Sequence, residues 1–187
     1  MNKFVKLPLF LGVVGGICTA LLATTYIVTI DAITTRENNL KLEGYFKAFG
    51  LDINSGANAD KKTVSDELIS KGITVKVVVS KDGSDLGTVY DGKVDGRNGS
   101  ISFQVSFADG KYNSFTVVGG HSENKGYAGA DILDVLGTKL NGIEATKFTD
   151  AAEFYNNSDF ISSGTAMSTK NLFPAIVAAA ADYAASL

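Results

Sequence analysis

The chain reads as an α+β protein: one N-terminal transmembrane helix followed by a single extracytoplasmic domain with an antiparallel sheet and flanking helices. Three observations predict this. Residues 7–30 carry no charged side chain. Residues 73–120 alternate β-branched and aromatic residues with polar ones and are broken by Asp-Gly pairs, the pattern of strands joined by tight turns. The stretch 172–183 then repeats apolar residues at helical spacing. Strands that run consecutively and helices held apart from them make the class α+β rather than α/β.

Residues 7–30 number about 24, and as a helix they extend about 36 Å, enough for a ~30 Å hydrocarbon core with some tilt. Lys3 and Lys6 precede the run and Asp31 closes it, so the positive-inside tendency sets the N-terminus in the cytoplasm. The expected location is thus a bacterial cell membrane, single-pass. Two alternatives stay open: a signal peptide cleaved near Ala20–Ala23 or Ala23–Thr25, and a lipid on Cys18, although Ile17 stands where such signals carry a small residue. Gly12, Gly15 and Gly16 form a small-residue face that suits a neighbouring helix.

Residues 31–49 predict a helix continuing outward, with Ile33, Leu40, Leu42, Tyr45, Phe46 and Phe49 at spacings mostly of three and four, ended by Gly50. Residues 51–66 are polar and read as a connector. The expected organisation is therefore 1–30 for the cytoplasmic tip and span, 31–66 for the exit helix and connector, and 67–187 for the domain. Strands are expected over 73–79, 86–90, 101–107 and 115–118, with turns at Lys81–Ser84 and Asp109-Gly110. In the third, Ile101, Phe103, Val105 and Phe107 alternate with Ser102, Gln104 and Ser106, which predicts one buried face. Short helices are expected over 130–136, closed by Gly137, and over 150–155. A longer one is expected over 172–183, with Leu172, Ile176 and Ala180 on one stripe.

The composition bounds the chemistry. The 187 residues carry a formal net charge of -3, with no basic run to meet a nucleic acid. Cys18 is the single cysteine and His121 the single histidine, which rules out an internal disulfide, a thiolate cage for zinc or iron–sulfur, and any site needing two imidazoles. A redox role would need an organic cofactor. There is no Trp, so Tyr and Phe are the only large rings.

Two segments are rich enough in polar groups to hold a ligand. Residues 159–170 contain Asp159, Ser162, Ser163, Gly164, Thr165, Ser168, Thr169 and Lys170 just before the last helix. Hydroxyls are favoured at helix starts, where the first N–H groups lack partners, and such starts also take phosphate. An ordinary capped helix has the same composition. Residues 121–129 run from His121 through Glu123 and Gly126 to Gly129 directly after the last strand, which suits a ligand loop as well as a plain connection. No G-x-S-x-G elbow is present and no catalytic residue is assigned.

In their order and spacing these features resemble one family over nearly the whole chain: the FMN-binding subunit of the Rnf electron-transport complex and its FMN-binding counterpart in the sodium-translocating NADH:quinone oxidoreductase. Members carry a segment like H-x-E-T-P-G-L-G after the sheet, matched here at His121, Glu123 and Gly126, with Asn124 and Lys125 in place of Thr and Pro. Their flavinylation motif, D-x-x-[ST]-G-A-T, is matched at Asp159, Ser162 and Thr165, with Ser163 and Gly164 at the two small positions. A register shifted by one would put Ala166 at the acceptor, which has no hydroxyl to esterify.

The resemblance implies that a flavin transferase, drawing on FAD, joins FMN by a phosphoester to Thr165. It further implies that Ser168, Thr169 and Lys170 attend the phosphate and that the ring lies against the loop of Glu123 and Gly126. The domain over 67–187 would then be FMN-binding. The chain would serve as an electron-transfer subunit of a membrane ion-translocating redox complex, a carrier by itself, with the other subunits as partners. Two alternatives are a membrane-anchored extracytoplasmic binding or assembly module on the same fold without flavin, and a solitary surface flavoprotein for extracellular electron transfer.

Overall fold

Two Asp-Gly pairs, set among alternating apolar residues, decide the centre of the fold. The computed structural model describes residues 3–123, 136–150 and 167–187. Asp82 and Gly83 have φ of 53° and 81°, and Asp109 and Gly110 have 50° and 75°. Two consecutive left-handed residues make the hairpin turn whose twist matches paired strands. The result is an antiparallel meander of five strands in the order β1-β2-β3-β4-β5: β1 Asn58–Lys62, β2 Ile73–Lys81, β3 Ser84–Asp95, β4 Ser100–Ala108 and β5 Lys111–Val117. Cross-strand register runs Lys76↔Tyr90↔Val105↔Phe115 on one face and Val77↔Val89↔Ser106↔Ser114 on the other.

Helices α1 Lys3–Lys47, α2 Asp66–Ser70 and α3 Met167–Ala184 lie among the described residues. The chain divides into two compact units, the first ending at Leu42 and the second being Glu43–Leu187.

The first unit corrects the expected membrane span. Among the described residues no helix is long and apolar enough to cross a membrane. Within the uncharged run, Gly12, Gly15 and Gly16 contribute no side chain. Thr19, Thr24 and Thr25 are hydroxylated, each donating to the carbonyl four residues back at 2.8 Å.

In the second unit the inner face of the sheet is covered by α3. Leu172, Phe173, Ala175, Ile176, Ala179, Ala180 and Tyr183 are buried against Tyr90, Ile101, Phe103, Val105, Phe107 and Tyr112 in one cluster. Phe107 stacks on Tyr183 with ring centroids 5.3 Å apart and meets Tyr90 and Tyr112 edge-on. Each buried Leu, Ile or Phe is worth about 1.5–3 kcal/mol of transfer free energy. Polar ties near its two ends fix α3 along the sheet. Asp182 accepts from Lys76 Nζ at 2.5 Å and from the Tyr90 hydroxyl at 2.6 Å, and Asn171 Nδ2 donates to the Asp95 carbonyl at 2.7 Å. The helix starts five residues before the expected Leu172, which puts Pro174 inside it and leaves the Lys170 carbonyl without its in-helix donor.

The outer face differs from expectation. The alternation in β4 predicts a solvated polar side, yet Gln104 and Ser106 are buried, as are Val77, Val79 and Val89. The segment following Leu42 covers them. Tyr45 donates its hydroxyl to Asp91 at 2.6 Å, and Asn113 Nδ2 donates to the Ala48 carbonyl at 2.6 Å and to Ser106 Oγ at 3.1 Å. Gly44 allows the approach, since a Cβ there would stand 2.7 Å from Gln104 Oε1. Gly50, at φ 70°, then ends the helix as expected, with Leu51 N–H donating to the Phe46 carbonyl and Gly50 N–H to that of Lys47.

Two further expectations are revised. The polar connector contains β1, an edge strand whose sequence, Asn-Ala-Asp-Lys-Lys, is too polar to show as one; charged edges discourage pairing with other chains. The helix expected to close at Gly137 is helical through Lys139. Its earlier residues, 130–135, and all but the first of those over 150–155 lie outside the described residues.

Gly92 lies against the ring of Phe103, which is buried and stacked on Phe115 at 5.7 Å. Gly92→Ala therefore drives a methyl group into that ring, and a fall in unfolding free energy of about 1–3 kcal/mol is expected by denaturant titration; an unchanged midpoint would contradict the packing. Burial raises the pKa of Tyr45, Tyr90 and Tyr112 well above the ordinary 10.0, and hydrogen bonds to Asp91 and Asp182 add to this for the first two. The folded state holds those protons more tightly, so the associated stability is intact below pH 10.0 and is lost as pH rises beyond it. The denaturation midpoint is expected to fall above that pH, with tyrosinate absorbance from these rings appearing only as structure is lost.

Candidate functional site

The turn between β3 and β4 is bonded by residues 122 and 123, which open one segment that the sequence marks out, and by Asn171, which directly follows the other. Asp95 closes β3 and Ser100 opens β4; between them Gly96 N–H donates to the Gly99 carbonyl at 2.8 Å, and Ser100 Oγ donates to Asp95 Oδ1 at 3.3 Å. Past β5, Val118 N–H continues the ladder to the Ser102 carbonyl at 2.8 Å. Gly119 and Gly120 then take φ of 74° and 79°. That pair of left-handed residues, open only to glycine at low cost, redirects the chain from the strand toward the turn.

Residues 121–123 there bond to the turn. The Asn98 backbone N–H donates to Glu123 Oε1 at 3.1 Å, and Asn98 Nδ2 donates to the Ser122 carbonyl at 3.2 Å. Gly96 is what admits the carboxylate, since a Cβ at that position would collide with Glu123 Oε1. His121 Nδ1 is buried and has no hydrogen-bond partner among the described residues.

From the other side comes α3. Asn171 holds the Asp95 carbonyl, so the first turns of the helix and the loop of Glu123 are tied to the same six-residue stretch, 95–100. Ser168, Thr169 and Lys170 lie in the first turn of α3, which begins at Met167. The N–H groups of that turn have no acceptor within the helix and carry its positive dipole end, the elements of an anion site. Beside it is an open cavity of about 360 Å³ lined by Ser70, Lys71 and Gly72, by Lys93, Val94 and Asp95, and by Asn171 and Pro174.

Of the residues singled out from sequence, Glu123 and the helix start of Ser168, Thr169 and Lys170 are thus brought to one end of the sheet. Gly126, Asp159, Ser162, Ser163, Gly164 and Thr165 lie outside the described residues. Sequence reasoning misses Gly96, Asn98 and Asn171. The run 92–99 is visibly rich in glycine, but nothing in it tells that Asn98 bonds a loop 24 residues later. Among the described residues no group of three or more His, Cys, Asp or Glu side chains is placed to hold a metal ion. The arrangement can bind and orient a ligand through backbone N–H groups, an amide and a carboxylate.

No protein-family model matches the chain, and none of the curated proteins is similar to it.

Glu123→Ala removes the acceptor of the Asn98 amide. Hydrogen exchange at Asn98 is expected to quicken about fivefold, as the loss of a net ~1 kcal/mol hydrogen bond requires, while amides of β4 keep their protection. Unchanged exchange at Asn98 would show that the loop is not held to the turn by this bond.

Proposed function

We propose that the protein is an electron carrier bearing FMN, esterified through its phosphate to Thr165, and that it works between partner redox proteins outside the cytoplasm. The reading starts from the resemblance of its two polar segments to those of the Rnf and sodium-translocating oxidoreductase proteins. The observation that carries it is the shared turn: Asn171 of α3 and the loop of Glu123 bond the same residues 95–100. A motif at 159–165 and a loop at 121–126 can serve one ligand only if they lie near each other, and the bonds of Asn171 and Glu123 to one turn support that reading.

The chemistry of the described residues fits the group. The first-turn N–H groups at Met167 to Lys170 point along the positive end of the helix dipole, where a phosphate diester is a favoured acceptor. Glu123, half-buried and held by the Asn98 backbone N–H, is an acceptor fixed beside the turn. When bound, the flavin supplies one- and two-electron transfer, and the protein supplies position and local charge. Attachment is a displacement at phosphorus. The Thr165 hydroxyl oxygen bonds the phosphate that bears riboflavin, the pyrophosphate bond of FAD breaks, AMP leaves, and the hydroxyl proton is released. A flavin transferase is the partner for that step. Gly164 beside the acceptor leaves room for the enzyme to reach the backbone.

The test is co-expression of the full chain with a flavin transferase. One covalent FMN is expected on the peptide holding residues 159–170, seen by mass spectrometry and as flavin fluorescence surviving denaturing electrophoresis, and Thr165→Val is expected to abolish both. A colourless protein with the mass of its residues alone would overturn the reading; a label that persists in Thr165→Val would move the acceptor to another hydroxyl.

A further inference from the structure

We infer that the cavity between α2, the end of β3 and the start of α3 binds a phosphate carrying a polyhydroxylated chain, with Lys71 and Lys93 as the cations that neutralise it. On the function proposed above, on which the ligand's identity rests, this is the ribityl phosphate end of the flavin and not its ring.

The cavity is about 360 Å³, within the range of small-molecule sites. Its lining holds no aromatic residue: beside Gly72, Val94 and Pro174 stand Ser70, Lys71, Lys93, Asp95 and Asn171, of which Ser70 Oγ donates to the Glu67 carbonyl and Asn171 Nδ2 to that of Asp95. Such a wall suits a polyol phosphate and offers an isoalloxazine ring nothing to stack on.

Charge points the same way. Lys71 and Lys93 form no ion pair among the described residues, whereas Lys47, Lys76 and Lys147 do. One carboxylate, Asp95, shares the rim, and it already accepts from Ser100. The two ammonium groups therefore outnumber it. The carbonyls at the end of α2 do not counter them, since Leu68 and Ile69 accept from Lys71 N–H at 3.1 Å and Gly72 N–H at 2.9 Å.

The backbone that carries the lysines is held firmly. Lys93 N–H donates to the Gly72 carbonyl at 2.8 Å. Gly72, at φ 90°, lies so close that a Cβ would stand 2.6 Å from the Lys93 carbonyl oxygen. Opposite stands Asn171, six residues after Thr165 in the chain.

The Thr165→Val protein, which has no acceptor at that position, is titrated with FMN, with riboflavin and with inorganic phosphate, alongside the same protein carrying Lys71→Gln and Lys93→Gln. FMN is expected to bind about tenfold more tightly than riboflavin, and phosphate to compete with it. In the double glutamine variant that preference falls to near unity, while Lys71→Arg with Lys93→Arg keeps it. Both lysines are exposed, and unchanged melting curves verify the fold. Equal affinity for FMN and riboflavin, a preference unaltered by the glutamines, or binding of none of the three overturns the assignment. Phosphate binding that needs the lysines, in a chain that is never flavinylated, keeps the cavity and removes the flavin. A flavinylated Thr165 with no effect of the lysines does the reverse.

Discussion

The placement of α3 along the sheet is the constraint on which the rest of the second unit depends. Its apolar seam, from Leu172 to Tyr183, could slide by a turn on a greasy surface at little cost, because hydrophobic contact is not directional. Polar ties near its two ends prevent that. Asp182 receives Lys76 and the Tyr90 hydroxyl at one end, and Asn171 holds the Asp95 carbonyl at the other. The ties are eleven residues apart, about 16 Å of helix, so a register shift would break both. Leaving the Tyr90 hydroxyl buried without an acceptor costs about 1–3 kcal/mol. Burial supplies the bulk of the stability, and these bonds choose the register. Because α3 is held in this register, its first turn sits beside the β3–β4 turn.

The outer face follows a different rule. Ser106, Ser114, Asn113, Gln104 and Asp91 make it polar, yet Gln104 and Ser106 are buried. Burying such groups is tolerable only when they are bonded. Ser106 Oγ and Ser114 Oγ are 2.7 Å apart, Asn113 reaches both Ser106 and the Ala48 carbonyl, and Tyr45 reaches Asp91. This explains why the alternation of β4 misled. Period two tells which residues share a face, and it did so correctly for Phe103, Val105 and Phe107. It does not tell whether the opposite face meets water or a helix end dense in partners. The same limit hid β1, whose charged residues have the composition of a loop because an edge strand has reason to look like one. The two Asp-Gly turns were legible because their chemistry is local. Left-handed backbone at two consecutive positions leaves few other choices of residue.

At the candidate site the sequence marked the two segments and missed what joins them. Glu123 and the hydroxyl-rich helix start each had an ordinary explanation when taken alone. Their convergence rests on Gly96, Asn98 and Asn171, and none of these announces itself. A glycine in a turn is unremarked until the carboxylate packed on it is known, and an asparagine is a turn residue everywhere. The partners lie 24 to 76 residues away in the chain. Long-range pairing of single polar groups carries no periodicity, so no pattern within one sequence can disclose it. Conformational punctuation such as Gly119-Gly120 is visible, but the direction in which it sends the chain is not.

The openness of the cavity bears on what kind of binding suits it. A dissociable cofactor must find in its pocket all the free energy that keeps it there, and tight sites enclose most of their ligand. A group tethered to the neighbouring chain is released from that demand. On the proposed esterification at Thr165, the covalent bond would replace affinity, and the local concentration it imposes would be high however weak the contacts are. What the protein must still supply is orientation, through a few fixed groups: the first-turn N–H donors of α3, a half-buried carboxylate seated on Gly96, and cations on a backbone locked by Gly72. On that proposal, an open polar recess beside a helix start needs to recognise the phosphate and orient the rest, and the turn 95–100, tied at once to α3 and to the loop of Glu123, offers fixed groups for both.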